Sequence, residues 1–346
     1  MPPATTGPSG PATRSTTGAA SGRCTRPTTS WFPDGVFVYA LPMTTRFRGI
    51  TVREGLLLEG PAGWGDFCPF PEYGDAEARS WYDAAHEAAF DGWPEPVRAS
   101  VPVNAIVPAV APAVAHALVV ASGCGTAKVK VADAPGSLAD DLARVEAVRD
   151  ALGPGGHVRV DANARWAVDE AVTAIRALDR AAGGLQYVEQ PCVTLEELAA
   201  VRRRVDVRIA ADESIRRAED PLRVAVAGAA DVAVLKCAPL GGVRRALEVA
   251  QACGLPCVVS SALESGVGLS AEIALAGALP DLDFACGLGT GALFTADVTA
   301  PLAPVGGELA VPRRPPEPEL RDGVAAAGER VEWWEARLAR VRGLQP

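Results

Sequence analysis

The sequence has little of what marks several large classes of protein. It contains only three histidines, His86, His116 and His157, so few side chains besides lysine and the carboxylates can serve acid–base chemistry near neutral pH. The apolar stretch 105–122 includes two prolines and is shorter than the ~20 residues that a membrane-spanning helix needs. The 33 basic residues are outnumbered by 42 acidic ones, and a net charge of −9 argues against nucleic acid or an anionic membrane as a general partner.

The eight cysteines lack the spacing of a zinc site. No two of them form a C-x-x-C pair, and Cys253 and Cys257 have no second pair or histidine to complete a metal site. Residues 1–30 also lack the apolar core of a secretory signal. We therefore expect reduced, mostly buried thiols in a soluble, cytoplasmic protein.

Composition changes along the 346 residues divide the chain into four parts. Residues 1–30 are almost all Pro, Gly, Ser, Thr and Ala, and predict a disordered extension. Residues 31–99 read as antiparallel strands followed by a helix, which predicts a small α+β domain. Residues 100–298 alternate short apolar runs with helical patterns, and residues 299–346 form a Pro-rich segment with a final helix that we expect to pack back on the α+β domain.

The alternating part predicts a (β/α)8 barrel rather than an open sheet, because it holds eight strand-like runs joined by helices. Capping-box sequences begin two of the helices, at Ser137 and Thr194, and Gly254 suits a helix C-terminus. The eight runs are 101–107, 127–132, 158–162, 187–190, 208–212, 232–237, 256–260 and 285–289.

Charged residues follow these runs at regular intervals. Counted from Lys130, successive charged sites are 31, 28, 23 and 24 residues apart, about one βα repeat each. Active sites of such barrels lie at the carboxyl ends of the strands, so these side chains should meet at one mouth. The residues are Lys128, Lys130, Asp161, Asn163, Glu189, Asp212 and Lys236.

Three carboxylates on consecutive strands, Asp161, Glu189 and Asp212, form a set of hard oxygen donors suited to Mg²⁺. Without a cation, three neighbouring carboxylates would repel one another strongly. Lysines on both sides of them fit removal of a proton from a carbon next to a carboxylate group, since clustered cations lower the pKa of a lysine. A small-molecule carboxylate is therefore the expected substrate class.

The order K-x-K, D-x-N, E-Q-P, D-E-S and K on successive strands resembles the enolase superfamily, specifically its muconate lactonizing enzyme subgroup. Several segments are similar to those of the actinobacterial o-succinylbenzoate synthases, over roughly residues 37–291. These segments are 47–49 (FRG), 61–65 (PAGWG), 126–131 (TAKVKV), 188–191 (VEQP), 211–215 (ADESI) and 260–265 (SSALES).

The resemblance implies an α/β enolase-like fold, with an N-terminal capping domain and a modified barrel that enclose the substrate. It implies a single divalent cation, Mg²⁺ with Mn²⁺ as an alternative ion, on Asp161, Glu189 and Asp212. It also implies Lys130 as the acid/base, Lys236 as the stabilising charge on the opposite face and Lys128 as an assisting charge. The implied reaction is the dehydration of 2-succinyl-6-hydroxy-2,4-cyclohexadiene-1-carboxylate to 2-succinylbenzoate in menaquinone biosynthesis.

Other candidate substrate contacts are Arg159, Asn163, Ser260, Ser261 and Gly289. Arg159 shares a strand face with Asp161, so it either orients that residue, touches the substrate or is a charge within an interior layer of the barrel. The serines and Gly289 either donate hydrogen bonds to substrate carboxylates or make ordinary turns. The loop 63–74 carries Phe67, Phe70 and Tyr73 among glycines and prolines, and predicts an ordered lid over the substrate ring.

Two other functions fit parts of the pattern. An N-acylamino acid racemase on the same scaffold would also use two lysines on opposite faces of a carboxylate. A non-catalytic ligand-binding barrel would tolerate replacement of the lysines or carboxylates, and none is replaced. The histidine base of the mandelate racemase subgroup is excluded, because no histidine follows His157. No sequence feature sets the oligomeric state.

Overall fold

The computed structural model describes residues 1, 36–133, 135–216, 223–319 and 322–344. The extension expected over residues 1–30 therefore lies outside the described residues, apart from Met1. The described fold begins with a three-stranded antiparallel meander, followed by a helix that packs against its third strand. These elements are β1 (Val36–Phe47), β2 (Ile50–Gly60), β3 (Gly63–Phe67), α1 (Asp75–His86) and a π-helical turn (Glu87–Asp91).

The β1–β2 connection is a tight hairpin that matters for the site. Phe47 pairs with Ile50, so Arg48 and Gly49 alone make the turn. Both have positive φ, 50° and 83°, which is the conformation that matches the twist of a two-residue hairpin. The hairpin thereby holds Phe47 and Arg48 in fixed positions at its tip.

Seven parallel strands form the barrel wall in the order of the chain, which confirms the predicted α/β barrel architecture. A short strand, β4 (Ser100–Pro102), precedes them. The seven are β5 (Ala105–Val107), β6 (Thr126–Lys130), β7 (His157–Asp161), β8 (Leu185–Glu189), β9 (Ile209–Ala211), β10 (Val232–Leu235) and β11 (Cys257–Val259). The helices are α2 (Pro112–Ser122), α3 (Leu138–Leu152), α4 (Val168–Ala182), α5 (Leu195–Arg202), α6 (Glu213–Arg216), α7 (Arg223–Val226), α8 (Cys237–Leu240), α9 (Val243–Cys253) and α10 (Gly266–Ala278).

The eighth predicted run, 285–289, does not form a full strand. It closes the barrel through two isolated parallel bridges, Val103 to Cys286 and Ser260 to Gly287. A side chain at position 287 would bring its Cβ within 2.5 Å of the Ser260 hydroxyl oxygen. The close approach therefore needs glycine, and glycine weakens a regular strand.

Local signals in the sequence set the helix ends. Ser137 and Thr194 both form reciprocal capping boxes, with Asp140 and Glu197 as the acidic partners. Gly254 ends α9 in the left-handed conformation, as a C-terminal glycine does. These signals are short-range, which is why they are readable before the fold is known.

The C-terminal segment contributes β12 (Glu308–Ala310), which pairs with β4, and α11 (Gly328–Arg342), which packs against α1 and β1. Short 3₁₀ turns cover Gly289–Leu293 and Asp322–Val324. Within the described residues, no helix is both long and apolar enough to cross a membrane.

Trp334 anchors α11, and its loss should be costly. Its ring is fully buried and meets Phe67 edge-on, with the ring centroids 6.0 Å apart. We expect Trp334→Ala to lower the free energy of unfolding by about 3–5 kcal/mol, measured by urea denaturation. The half-buried neighbour Trp333 is the matched control, and equal losses in Trp333→Ala and Trp334→Ala would contradict this account.

Candidate active site

A cleft of about 1480 Å³ lies between the β1–β2 hairpin and the barrel mouth, beside a deeper cavity of about 30 Å³. The two share four lining residues, Phe47, Arg48, Lys130 and Asn163. The cavity has room for a few atoms and the cleft for a small organic molecule. The cavity is lined by Phe47, Arg48, Ile106, Lys128, Lys130, Asp161, Asn163, Asp212, Lys236, Ser260, Ser261, Ala262, Leu263, Gly287 and Thr290.

Strand register brings the predicted charged residues together. Lys130 pairs with Asp161 across β6 and β7, and Asp161 pairs with Glu189 across β7 and β8. Side chains at paired positions of neighbouring strands point to the same face. Asp212 and Lys236 directly follow β9 and β10, so they reach the same mouth.

Each predicted metal-binding carboxylate faces a lysine ammonium. The Nζ of Lys128 lies 3.0 Å from both carboxylate oxygens of Glu189. The Nζ of Lys130 lies 2.5 Å from Oδ2 of Asp161, and the Nζ of Lys236 lies 2.5 Å from Oδ2 of Asp212. All three pairs are buried or nearly so, and the structure therefore assembles the predicted lysines and carboxylates at one point.

Two lysines on one strand have opposite pKa shifts. Burial lowers the pKa of Lys130, and repulsion from Lys128 adds to this against the attraction of Asp161. For Lys128 burial acts in the same direction, but attraction to Glu189 and Asp161 outweighs it and raises the pKa. Burial, followed by repulsion from Asp161, raises the pKa of Glu189 to about 7.

The donor set fits a divalent cation. Among the described residues, no three His, Cys, Asp or Glu side chains are grouped closely enough to hold a metal ion. Each of the three carboxylates is instead paired with a lysine ammonium. The carboxylates of Asp161, Glu189 and Asp212 nevertheless lie at the ends of three adjacent strands, are 1% exposed and offer six hard oxygen atoms. Mg²⁺ takes such ligands.

Asn163, Ser260 and Ser261 line the cavity as predicted, and each contacts a site residue or a second hydroxyl group. The side-chain oxygen of Asn163 accepts a hydrogen bond from Lys130, and Ser260 Oγ lies 3.4 Å from Lys128 Nζ. Ser261 Oγ lies 2.7 Å from the hydroxyl of Thr290. Their contacts with substrate stay predictions.

Arg159 and Gly289 are not among the residues that line the cavity or the cleft. Arg159 is fully buried in the barrel, where it donates hydrogen bonds to the side chain of Gln186 and the carbonyl of Ala285. Its guanidinium also lies 4.7 Å from the ring centroid of Tyr187. These contacts fit the interior-layer role that the sequence left open, and a contact between Arg159 and the substrate stays a prediction. Gly289 begins a 3₁₀ turn.

The predicted aromatic lid is wrong. Residues 63–67 form β3, and Phe67, Phe70 and Tyr73 are buried in the core of the N-terminal part, near Trp81. A side chain on Gly65 would place its Cβ 1.9 Å from the carbonyl oxygen of Ala85, so Gly65 serves close packing of β3 on α1. Of the three rings, only Phe70 reaches the cleft.

The hairpin tip covers the site instead. Phe47 lines the cavity, with its ring centroid 5.3 Å from Lys130 Nζ, and Arg48 lies over the ring of Phe70 at 4.5 Å. Sequence reasoning used these residues only as a segment of family resemblance. An Arg-Gly turn between two apolar strands indicated the hairpin, but not which part of the barrel it would meet.

Lysine scarcity is a further signal that sequence reasoning missed. The chain has only three lysines, and all three line the cavity, whereas every other basic side chain apart from histidine is arginine. Arginine stays protonated in proteins, so among these basic side chains only lysine can gain and lose a proton. All three histidines are described, and none lines the cleft or cavity.

Family models match most of the described chain. The model described as enolase C-terminal domain-like matches residues 111–315, and the model described as enolase N-terminal domain-like matches residues 38–89. The first covers the barrel with its lysines and carboxylates. The second covers the meander and α1.

Curated relatives are similar over nearly their full length. The o-succinylbenzoate synthase of Thermobifida fusca (strain YX) is 61% identical over 305 residues, which is 88% of this chain and 95% of that protein. The o-succinylbenzoate synthase of Mycolicibacterium smegmatis (strain ATCC 700084 / mc(2)155) is 56% identical over 308 residues, or 89% and 95% of the two chains.

Solved structures show the same fold at lower identity. The L-Ala-D/L-Glu epimerase from Bacillus subtilis superimposes with a TM-score of 0.68 at 23% identity, covering 84% of this chain and 98% of that one. The muconate lactonizing enzyme from Pseudomonas fluorescens gives a TM-score of 0.69 at 23% identity, covering 86% and 97%.

Proposed function

This chain belongs to the enolase superfamily, among its o-succinylbenzoate synthases, and we propose that it removes water from 2-succinyl-6-hydroxy-2,4-cyclohexadiene-1-carboxylate to give 2-succinylbenzoate. It is a lyase acting on a small-molecule substrate. The reaction belongs to menaquinone biosynthesis. The observation that carries the proposal is the cavity lined by both Lys130 and Lys236, each of which is paired with one of the predicted metal ligands.

Members of the superfamily bind a divalent cation, and we propose Mg²⁺ here, with Mn²⁺ as an alternative, on Asp161, Glu189 and Asp212. When bound, the ion supplies positive charge next to the substrate carboxylate, which lowers the cost of the negative charge that develops there. The chemistry of the donor set supports this, since a neutral Lys130 would leave two lysine charges for three buried carboxylates.

Lys130 would act as both base and acid. Its neutral amine takes the proton from the ring carbon that carries the carboxylate, and the ammonium so formed returns a proton to the departing hydroxyl group, which leaves as water. The two electrons of the broken C–H bond form the new double bond of the aromatic ring. Burial of the Nζ in the cavity favours the neutral form that the first step needs.

Lys236 and Lys128 would keep their charges throughout. Lys236 follows β10, on the far side of the ligands from Lys130, and stabilises the electron-rich ring by charge and cation–π contact. Lys128 is paired with Glu189 and adds a fixed positive charge beneath the substrate carboxylate.

We propose that the segment 31–99 acts as the cap and 100–298 as the catalytic barrel, with 299–346 tied to both. The hairpin tip over the cavity supports the first assignment. The pairing of β12 with β4 and the packing of α11 on α1 support the third. Lys128 and Lys236 are buried in the cavity wall, where charge interactions are stronger than in water.

Racemisation of N-succinylamino acids is the second candidate, because epimerases share this fold and two lysines on opposite faces suit transfer of a proton from one face to the other. We expect kcat/KM for dehydration of the cyclohexadiene acid to exceed that for racemisation by at least tenfold, about 1.4 kcal/mol. Aromatic absorbance and polarimetry measure the two rates. Racemisation faster by tenfold would replace the proposed function with the second candidate.

A further inference from the structure

A pair of buried acids lies behind the cavity and has no part in the chemistry above. Glu272, in the middle of α10, is fully buried, and Glu264, which precedes that helix, is 1% exposed. Their carboxyl groups are close enough for Glu264 to raise the pKa of Glu272. Neither residue lines the cavity or the cleft, yet each holds a segment that lines the cavity.

Glu272 holds the end of β10. Both of its carboxyl oxygens lie 2.8 Å from the backbone nitrogen of Cys237, which donates to them. Cys237 is the first residue of α8, and Lys236 is the residue that caps this helix. The first N–H groups of a helix have no partner within it, so a buried acceptor at this point fixes the backbone directly after Lys236.

Glu264 holds the loop after β11. It accepts hydrogen bonds from the hydroxyl of Ser261 at 2.8 Å and from the backbone nitrogen of Ala262 at 2.8 and 2.9 Å. Ser261 Oγ in turn accepts from the nitrogen of Leu263, whose carbonyl accepts from Arg53 of β2. Leu263 has a φ of +68°, a left-handed conformation that costs free energy in leucine and persists only where the surroundings impose it.

The two acids are neighbours that hold different walls of the same cavity. Burial and then the adjacent Glu264 raise the pKa of Glu272 well above its usual range. Glu272 accepts hydrogen bonds from the backbone that follows Lys236, and Glu264 accepts from the loop 260–263. The pair therefore joins two walls of the cavity.

We propose that Glu272 and Glu264 are positioning residues, which hold the strand end that carries Lys236 and the serine loop 260–263 in register across the cavity. The proposal rests on the proposed function only for the role of Lys236. What Glu272 supplies is reach and hydrogen bonding rather than charge, since both its oxygens face a neutral N–H group. Glutamine has the same reach, whereas aspartate is one methylene shorter.

Two variants of Glu272 separate these properties. We expect Glu272→Gln to keep kcat within about threefold of the unaltered protein, because the amide still accepts from Cys237. Glu272→Asp should lower kcat at least tenfold with little change in KM, because the carboxyl no longer reaches Cys237. The reverse order, with aspartate active and glutamine inactive, would show that a buried charge is needed and would overturn the proposal.

Glu264→Leu should act on the other wall. It should raise KM at least tenfold, with a smaller effect on kcat, because it releases Ser261 and Leu263 rather than Lys236. The matched control is Ser270→Ala, on the same buried helix as Glu272, where the lost hydroxyl donates only to the carbonyl of Val267. A loss of activity in Ser270→Ala equal to that in Glu272→Asp would show that the effects are general destabilisation.

Amide hydrogen exchange tests the proposal without any turnover, so a failure of the proposed function leaves it open to test. In Glu272→Asp the peptide that contains Cys237 should exchange at least tenfold faster, and in Glu264→Leu the peptide 260–265 should do so. Unchanged exchange in these peptides would overturn the positioning role even if catalysis were lost. If the two variants exchange faster as expected but the unaltered protein does not dehydrate the cyclohexadiene acid, the proposed function fails and the positioning of Lys236 stands.

Discussion

Lys130→Ala should abolish dehydration while leaving the protein folded. The variant loses the group that we assign to taking the proton from the ring carbon and returning one to the hydroxyl group. General acid–base groups contribute about 10²–10⁴ in rate, and one residue serves both steps here, so we expect kcat to fall by about three orders of magnitude or more. Stopped-flow or steady-state absorbance of the aromatic product measures the loss.

The control for this variant is its stability. Lys130 is nearly buried and paired with Asp161, so alanine leaves one carboxylate without its partner, and Mg²⁺ should restore the balance of charge. The thermal midpoint measured with Mg²⁺ should therefore stay close to that of the unaltered protein. A Lys130→Ala variant that is folded and keeps a near-normal rate would show that another residue is the base.

Removal of the metal should have an effect of similar size. Chelation should abolish turnover and added Mg²⁺ should restore it, because the developing carboxylate charge would otherwise lie among three buried acids. Asp161→Asn, Glu189→Gln and Asp212→Asn should each weaken Mg²⁺ binding, measured by calorimetry, and lower kcat by about two orders of magnitude or more.

A glutamate outside the site provides the comparison for these three variants. Glu248 lies on α9 in an exposed ion pair with Arg245, and Glu248→Gln should leave both Mg²⁺ affinity and rate unchanged. Full turnover in protein shown by elemental analysis to be free of metal would contradict the assignment. So would Mg²⁺ binding of unaltered strength in all three carboxylate variants.

The sequence alone determined the barrel and the charged residues of its mouth. The βα repeat recurs at intervals of 23 to 31 residues, and parallel strands end at a common edge, so chain spacing translates directly into spatial proximity. Lys130, Asp161 and Glu189 occupy paired positions of neighbouring strands for this reason. The capping boxes at Ser137 and Thr194 were equally readable, because a helix cap depends on residues three apart.

The tertiary structure decided which residues cover the site and which hold it. The aromatic residues 67, 70 and 73 have the composition of a lid, but their rings are buried in the hydrophobic core of the N-terminal part. The hairpin tip at Phe47 and Arg48 reaches the cavity instead. Arg159 shares a strand face with Asp161, yet its depth in the barrel gives it core partners. Cap–barrel contacts and the Glu264–Glu272 link join residues far apart in the chain or on separate elements, and no local pattern encodes them. Such contacts form only in the folded protein, because a buried polar group must find its hydrogen-bond partners among the groups that the fold brings next to it.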